Sequence, residues 1–174
     1  GFPDLSVRSA GTRLDPLTTN ESSRRQYHWL LLNSDGVFDA VTASSGFSAV
    51  RGSDEEVGRP AEVVAFADVD NDGDLDAYTG VDTRQVLTLE REDGSTVSIS
   101  ERSELLLNDG SGVYSFVDES HTLRRLNRQD VPSGATFVDV NRDGAVDLWV
   151  TQGGLGAPMQ DRLYLGDGLG AFED

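Results

Sequence analysis

The sequence predicts an all-β protein of four-stranded antiparallel sheets, stacked as about three blades of a β-propeller that is larger or is completed by another chain. Three observations predict it. An aspartate-rich segment recurs, with its two full copies starting 139 − 68 = 71 residues apart. Each copy lies between short runs of β-branched and aromatic residues, which suit strands. Between the copies, an apolar run ending in an Asp-Gly turn recurs as well. Self-similarity at a fixed period is how repeat architectures announce themselves.

The first repeated element runs from Val64-Ala65-Phe66-Ala67 through the loop Asp68 to Asp76 and into Ala77-Tyr78-Thr79. Its second copy runs from Ala135-Thr136-Phe137-Val138 through Asp139 to Asp147 and into Leu148-Trp149-Val150. The opening residues Gly1-Phe2-Pro3-Asp4-Leu5 match the second half of the pattern, with Asp4 in the place of Asp76 and Asp147. The chain is therefore expected to start inside a third, truncated loop, and to be a fragment of a longer protein rather than one that pairs with another chain.

The second element reads Leu30-Leu31-Leu32-Asn33-Ser34-Asp35-Gly36-Val37-Phe38, then Leu105-Leu106-Leu107-Asn108-Asp109-Gly110, then Leu163-Tyr164-Leu165-Gly166-Asp167-Gly168. Asp-Gly between apolar runs predicts a hairpin, because glycine accepts the positive φ that the turn needs. Strand, aspartate loop, strand, connector, strand, turn, strand makes one blade. Residues 1–174 thus read as a partial propeller: blade one over 1–50 without its first strand, blade two over 61–125, and blade three over 131–174. Blade one carries a polar insertion over 8–26. Blade two carries an extra hairpin over 85–100, where Glu92-Asp93-Gly94 separates two apolar runs. Both insertions are candidate recognition loops.

Composition narrows the partners. Fourteen basic against thirty-one acidic residues leave a net charge of −17, which argues against nucleic acid or an anionic membrane. No stretch is long and apolar enough to span a membrane. There are no cysteines, which removes disulfides, thiolate zinc sites and cysteine nucleophiles.

The loops carry the chemistry. Their pattern is D-x-[DN]-x-D-G-x-x-D. Alternate side chains in a tight loop can turn toward one point, glycine at the sixth position permits the sharp bend, and the ninth returns a carboxylate as the next strand begins. Oxygen-only donors suit a hard cation with about 6–8 ligands, which is calcium rather than zinc or the stricter magnesium. The first loop offers Asp68, Asp70, Asp72 and Asp76 with the Asp74 carbonyl. The second offers Asp139, Asn141, Asp143 and Asp147 with the Ala145 carbonyl, and Asp4 belongs to the truncated copy. An EF-hand would need a glutamate where Thr79 and Val150 stand. The alternative reading is that these aspartates make only Asx-turns on an acidic surface.

These loops, with the hairpins that follow them, resemble the FG-GAP/VCBS repeats of integrin-α-like propellers. The resemblance implies structural calcium bracing each blade (two complete sites and one truncated) and an extracellular, periplasmic or cell-surface setting. It also implies ligand recognition by loops between strands and blades. No nucleophile elbow, P-loop or dinucleotide fingerprint occurs. His28 is expected half-buried at a strand start, His121 exposed in a connector, and Tyr78 and Trp149 both packed between blades. The expected function is a non-enzymatic calcium-binding module for protein–protein or adhesive contact. A carbohydrate-binding propeller and the non-catalytic propeller of a larger secreted enzyme stand as alternatives, so the bound partner is a protein or a glycan, with the rest of the propeller as the structural partner.

Overall fold

The computed structural model describes residues 5–8, 28–41, 44–47, 49–51, 59, 61–84, 87–90, 93–124, 130–153 and 159–174. Asp4 and, from residue 9 on, the expected 8–26 insertion lie outside them. Among the described residues the chain is all-β, with one turn of 3-10 helix at Thr122–Arg124. It divides into two compact units, Gly1–Arg59 and Pro60–Asp174.

The first unit holds a sheet of β1 (Leu5–Arg8), β2 (His28–Ser34) and β3 (Val37–Ala40) in that order. Its turn is the tight one that Asp-Gly predicts. Ser34 pairs with Val37, and Asp35 and Gly36 both take positive φ, 54° and 89°, which matches the right-handed twist of the flanking strands.

The second unit contains β4 (Ala61–Ala67), β5 (Asp76–Val81), β6 (Leu87–Glu90), β7 (Thr96–Ile99), β8 (Glu104–Asn108) and β9 (Tyr114–Phe116). Sheet two is the antiparallel meander β4-β5-β8-β9, and β6 and β7 form the extra hairpin expected over 85–100. Then β10 (Pro132–Val138), β11 (Asp147–Gln152), β12 (Arg162–Gly166) and β13 (Phe172–Glu173) make sheet three, again a meander.

The pairing registers correspond position for position. Leu5 faces Leu31, Ala77 faces Leu106, and Leu148 faces Tyr164. Both four-stranded sheets break register at the same place, between Ala61 and Val63 and between Pro132 and Gly134. A one-residue slip would turn every side chain to the opposite face, so matched registers mean matched faces.

Within this unit β4 runs against β10, and the two sheets share one core. From sheet two come Tyr78 and Leu105 with Val69 of the loop and Leu123 of the 3-10 turn; from sheet three come Leu148, Val150, Tyr164 and Phe172. Two expectations are corrected here. Tyr78 is buried, but its counterpart Trp149 is exposed, because the core that the two sheets share takes the opposite face of sheet three, through Leu148 and Val150. His121 is half-buried rather than exposed. Its Nδ1 accepts the Leu123 N–H at 3.3 Å, its Nε2 lies 3.0 Å from the Gly170 carbonyl, and its ring meets Phe172 edge-on.

Gly80 sits where sheet two closes on β10. A methyl group there would lie 2.8 and 2.9 Å from the Pro132 ring carbons, and a proline ring cannot swing aside. Gly80→Ala is expected to cost about 1–3 kcal/mol, the usual penalty of overpacking, read as a lowered urea midpoint. An unchanged midpoint would contradict this close packing.

Candidate metal centre

Each aspartate loop closes around its own backbone donors. In the first, Asp68 accepts the N–H groups of Asp72 and Gly73, both at 3.1 Å. Asp70 accepts Asp72 N–H at 3.3 Å and Asp72 accepts Asp74 N–H at 3.0 Å. The second loop repeats this: Asp139 accepts Asp143 and Gly144, Asn141 accepts Asp143, and Asp143 accepts Ala145. The backbones agree too. Asn71 and Arg142 both occupy the left-handed region, at φ 61° and 65°, ahead of Gly73 and Gly144 at 98° and 93°. For a non-glycine residue that conformation is uncommon, and Asn tolerates it better than Arg.

In the first loop three carboxylates converge. Ligand oxygens of Asp68, Asp70 and Asp76 all lie within 4.8 Å of one another. Oxygens on opposite sides of a calcium ion, each about 2.3–2.6 Å from it, stand about 4.6–5.2 Å apart. The spacing therefore fits one ion, and the donors are the hard oxygens such an ion prefers. Asp72 is exposed and outside this group, with one oxygen on the Asp74 N–H. The Asp74 side chain leans on Gly110 of the β8–β9 turn, where a Cβ would meet its Oδ2 at 2.6 Å.

The second loop has the same path but a different side-chain arrangement. Among the described residues it brings no three acidic groups together. Asn141 Nδ2 donates to Asp143 Oδ2 at 2.7 Å, so the amide at the third position is tied to the carboxylate at the fifth. Ala145 is buried, as a position contributing only main chain can be.

Charge differs between the loops as well. Burial pushes the Asp70 carboxyl above the ordinary carboxylate range, and the charges of Asp72 and Asp68 push it the same way. Burial, joined by the charges of Asp70 and Asp72, raises Asp76 too, against the two backbone donors that lower it. Asp143 goes the other way, held low by the Ala145 N–H and the Asn141 side chain. Like charges in one bend raise each other, and donors aimed at a carboxylate lower it.

The ninth-position aspartates have a role that spacing alone does not reveal. Asp76 is fully buried, and its oxygens accept Val69 N–H at 3.0 Å and Asn108 N–H at 2.9 Å. Asp147, equally buried, accepts Val140 and Gly166 N–H, both at 2.9 Å. Each thus joins the start of its loop to the end of the third strand of its sheet. Asn108 extends the link: its Nδ2 donates to the Leu75 carbonyl at 3.2 Å, and its Oδ1 accepts Gly110 and Gly112. The recurrence of Asn33 and Asn108 was the available signal, and Gly166 breaks it in the third copy.

Replacing Asp147 with Ala would leave the Val140 and Gly166 donors unpaired. The expected loss is about 1–3 kcal/mol, and it should appear fully in excess chelator, because these bonds need no cation. Equal urea midpoints for the variant and the parent in chelator would refute the role.

No family model matches the chain, and no curated protein or solved structure matches it at a significant level.

Proposed function

We propose that this chain is a segment of a calcium-braced β-propeller serving as a rigid scaffold for protein–protein or adhesive contact. The observation that carries the reading is the convergence of Asp68, Asp70 and Asp76 in a bend made only of oxygen donors. A cation there would be held by these three carboxylates, with Asp72 and the Asp74 carbonyl as the remaining protein donors. It would supply charge neutralisation and cross-linking: β4 leads into the loop, β5 leaves it, and Asp76 already reaches β8. Raised carboxyls at Asp70 and Asp76 support the reading, since a cation stabilises the charged form that burial and repulsion disfavour. The Asp139–Asp147 loop is the second site, and there Asn141 must turn its oxygen inward. Millimolar calcium outside cells would load even a weak site of this kind, which favours an extracellular, periplasmic or cell-surface setting.

Calcium is expected to raise the melting temperature and excess chelator to lower it. At a free concentration of 100 times the dissociation constant, one site would add about 2.7 kcal/mol. Asp70→Asn should bind more weakly by titration calorimetry and lose most of the thermal response of the first loop. Identical melting curves with millimolar calcium and with chelator would remove the proposal.

The pH dependence has a definite sign. Raised carboxyls hold protons at a higher pH than ordinary ones, so proton and cation compete earlier as pH falls. Calcium affinity at the first loop should therefore weaken from pH 7 toward pH 5, with proton release on binding growing over the same range. Calorimetry in buffers of different ionisation enthalpy reads that release, and a flat affinity would contradict the assignment of Asp70 and Asp76 as ligands.

A further inference from the structure

The chain carries Asp-Gly pairs at Asp35, Asp72, Asp93, Asp109, Asp143 and Asp167. Such a pair holds a latent reaction, because glycine has no Cβ to shield its nitrogen. That nitrogen attacks the carboxyl carbon of the aspartate before it, one water leaves, and a five-membered succinimide forms. Water then opens the ring at either carbonyl. One opening restores aspartate, and the other leaves isoaspartate, whose main chain runs through the former side chain. The water lost in the first step is regained in the second, so no other reactant is needed.

All but one of these pairs are held out of the reaction. The N–H groups of Gly36 and Gly110 are accepted by Asn33 and Asn108 at 2.9 and 3.2 Å. Those of Gly73 and Gly144 are accepted by Asp68 and Asp139, both at 3.1 Å. An N–H committed to an acceptor on another residue is kept from the carboxyl carbon beside it. Gly168 is buried against the Asn71 amide, and Asp167 Oδ1 is occupied by the Leu169 and Ala171 N–H groups at 2.8 and 3.0 Å. Asp93-Gly94, in the turn between β6 and β7, differs. Both residues are exposed, and nothing lies within 4 Å of where a Gly94 Cβ would stand. Among the described residues no side chain accepts the Gly94 N–H. Asp93 Oδ1 accepts the Ser95 N–H at 2.9 Å, a bond within the turn itself.

We propose that Asp93 is a modification site, the position at which the folded chain converts to isoaspartate by way of a succinimide with Gly94. The product adds a methylene group to the main chain and moves the carboxylate. The Ser95 N–H then loses its acceptor, and the tip of the β6–β7 hairpin changes shape. The site is independent of the cation and of the propeller reading, because it depends only on which glycine N–H groups the fold has engaged.

The test is to age the full chain for several weeks in warm neutral buffer with millimolar calcium and to map isoaspartate in its tryptic peptides. Cleavage after Arg91 and Arg102 isolates a peptide whose single aspartate is Asp93. Isoaspartate is read by methyl transfer from a purified isoaspartate methyltransferase and placed by fragmentation in the mass spectrometer. In the folded chain it should build up at Asp93 at least fivefold faster than at any other Asp-Gly pair. In concentrated urea the rates should come together, since the protecting bonds are gone. Asp93→Glu should remove the signal from that peptide. Asn33→Ala, which releases the Gly36 N–H, should speed conversion at Asp35 at least threefold. Faster conversion at another pair in the folded chain overturns the proposal. An equal preference for Asp93 in urea overturns it too, because the preference would then belong to the neighbouring sequence. No rise at Asp35 in Asn33→Ala removes the protection on which the choice of Asp93 rests.

Discussion

A buried carboxylate must find donors or lose its charge, and in this chain that demand is met by the backbone. Asp76 and Asp147 are both completely buried, and each spends its two oxygens on two main-chain N–H groups from separate parts of its sheet. Charge-assisted bonds of this kind are roughly twice as strong as neutral ones. The loop's entry, its exit and the neighbouring hairpin are thereby held together before any ion is considered. The other loop aspartates are arranged around that fixed point. Whatever the loops bind, they bind it on a frame that Asp76 and Asp147 have set.

The first loop is also a joint between sheets. Asn71 donates from its side chain to the Gly168 carbonyl at 3.0 Å, and Gly170 N–H donates to the Val69 carbonyl at 3.2 Å. Both partners lie in the β12–β13 turn of sheet three. The left-handed turn at Asn71 that bends the aspartates inward therefore also aims its amide outward at the next sheet. Gly168 and Gly170 admit this approach: a Cβ on Gly168 would come within 2.7 Å of the Asn71 amide. Loop geometry and sheet stacking are consequently one constraint, and a ligand that stiffens the bend stiffens the stack. In the second loop the same position is Arg142, whose backbone turns alike.

Much of this was legible in the sequence because the repeating units are local. Apolar runs on either side of each loop, glycine at the sixth loop position and Asp-Gly in the hairpins specify strands and turns with little help from distant residues. The four-stranded order and the 87–99 hairpin follow from those signals. What stayed hidden depends on contacts across the chain. The sequence shows aromatic residues at positions 78 and 149 and cannot show that only the first is covered. It shows aspartates at the first, third, fifth and ninth loop positions, but convergence selects the first, third and ninth. The fifth, Asp72, stays exposed outside that group. Asn141 differs from Asp70 by an amide, and that amide ties up Asp143, so near-identical patterns give unlike side-chain arrangements.

The charge of −17 belongs to the same argument. Self-repulsion of that size opposes compaction, and in the second unit the core that resists it is assembled from one face each of sheets two and three. A repeat that buries apolar area against its neighbour gains from stacking alone, so stability and the order of sheets rise together. Concentrating acid in the first loop, at the junction of sheets two and three, then has a physical rationale. Where the charges of Asp72 and Asp68 act on Asp70, the bend is also bonded to the next sheet. Neutralising charge at that point would act on both the loop and the contact beside it, whereas the same neutralisation on an open surface would act on neither.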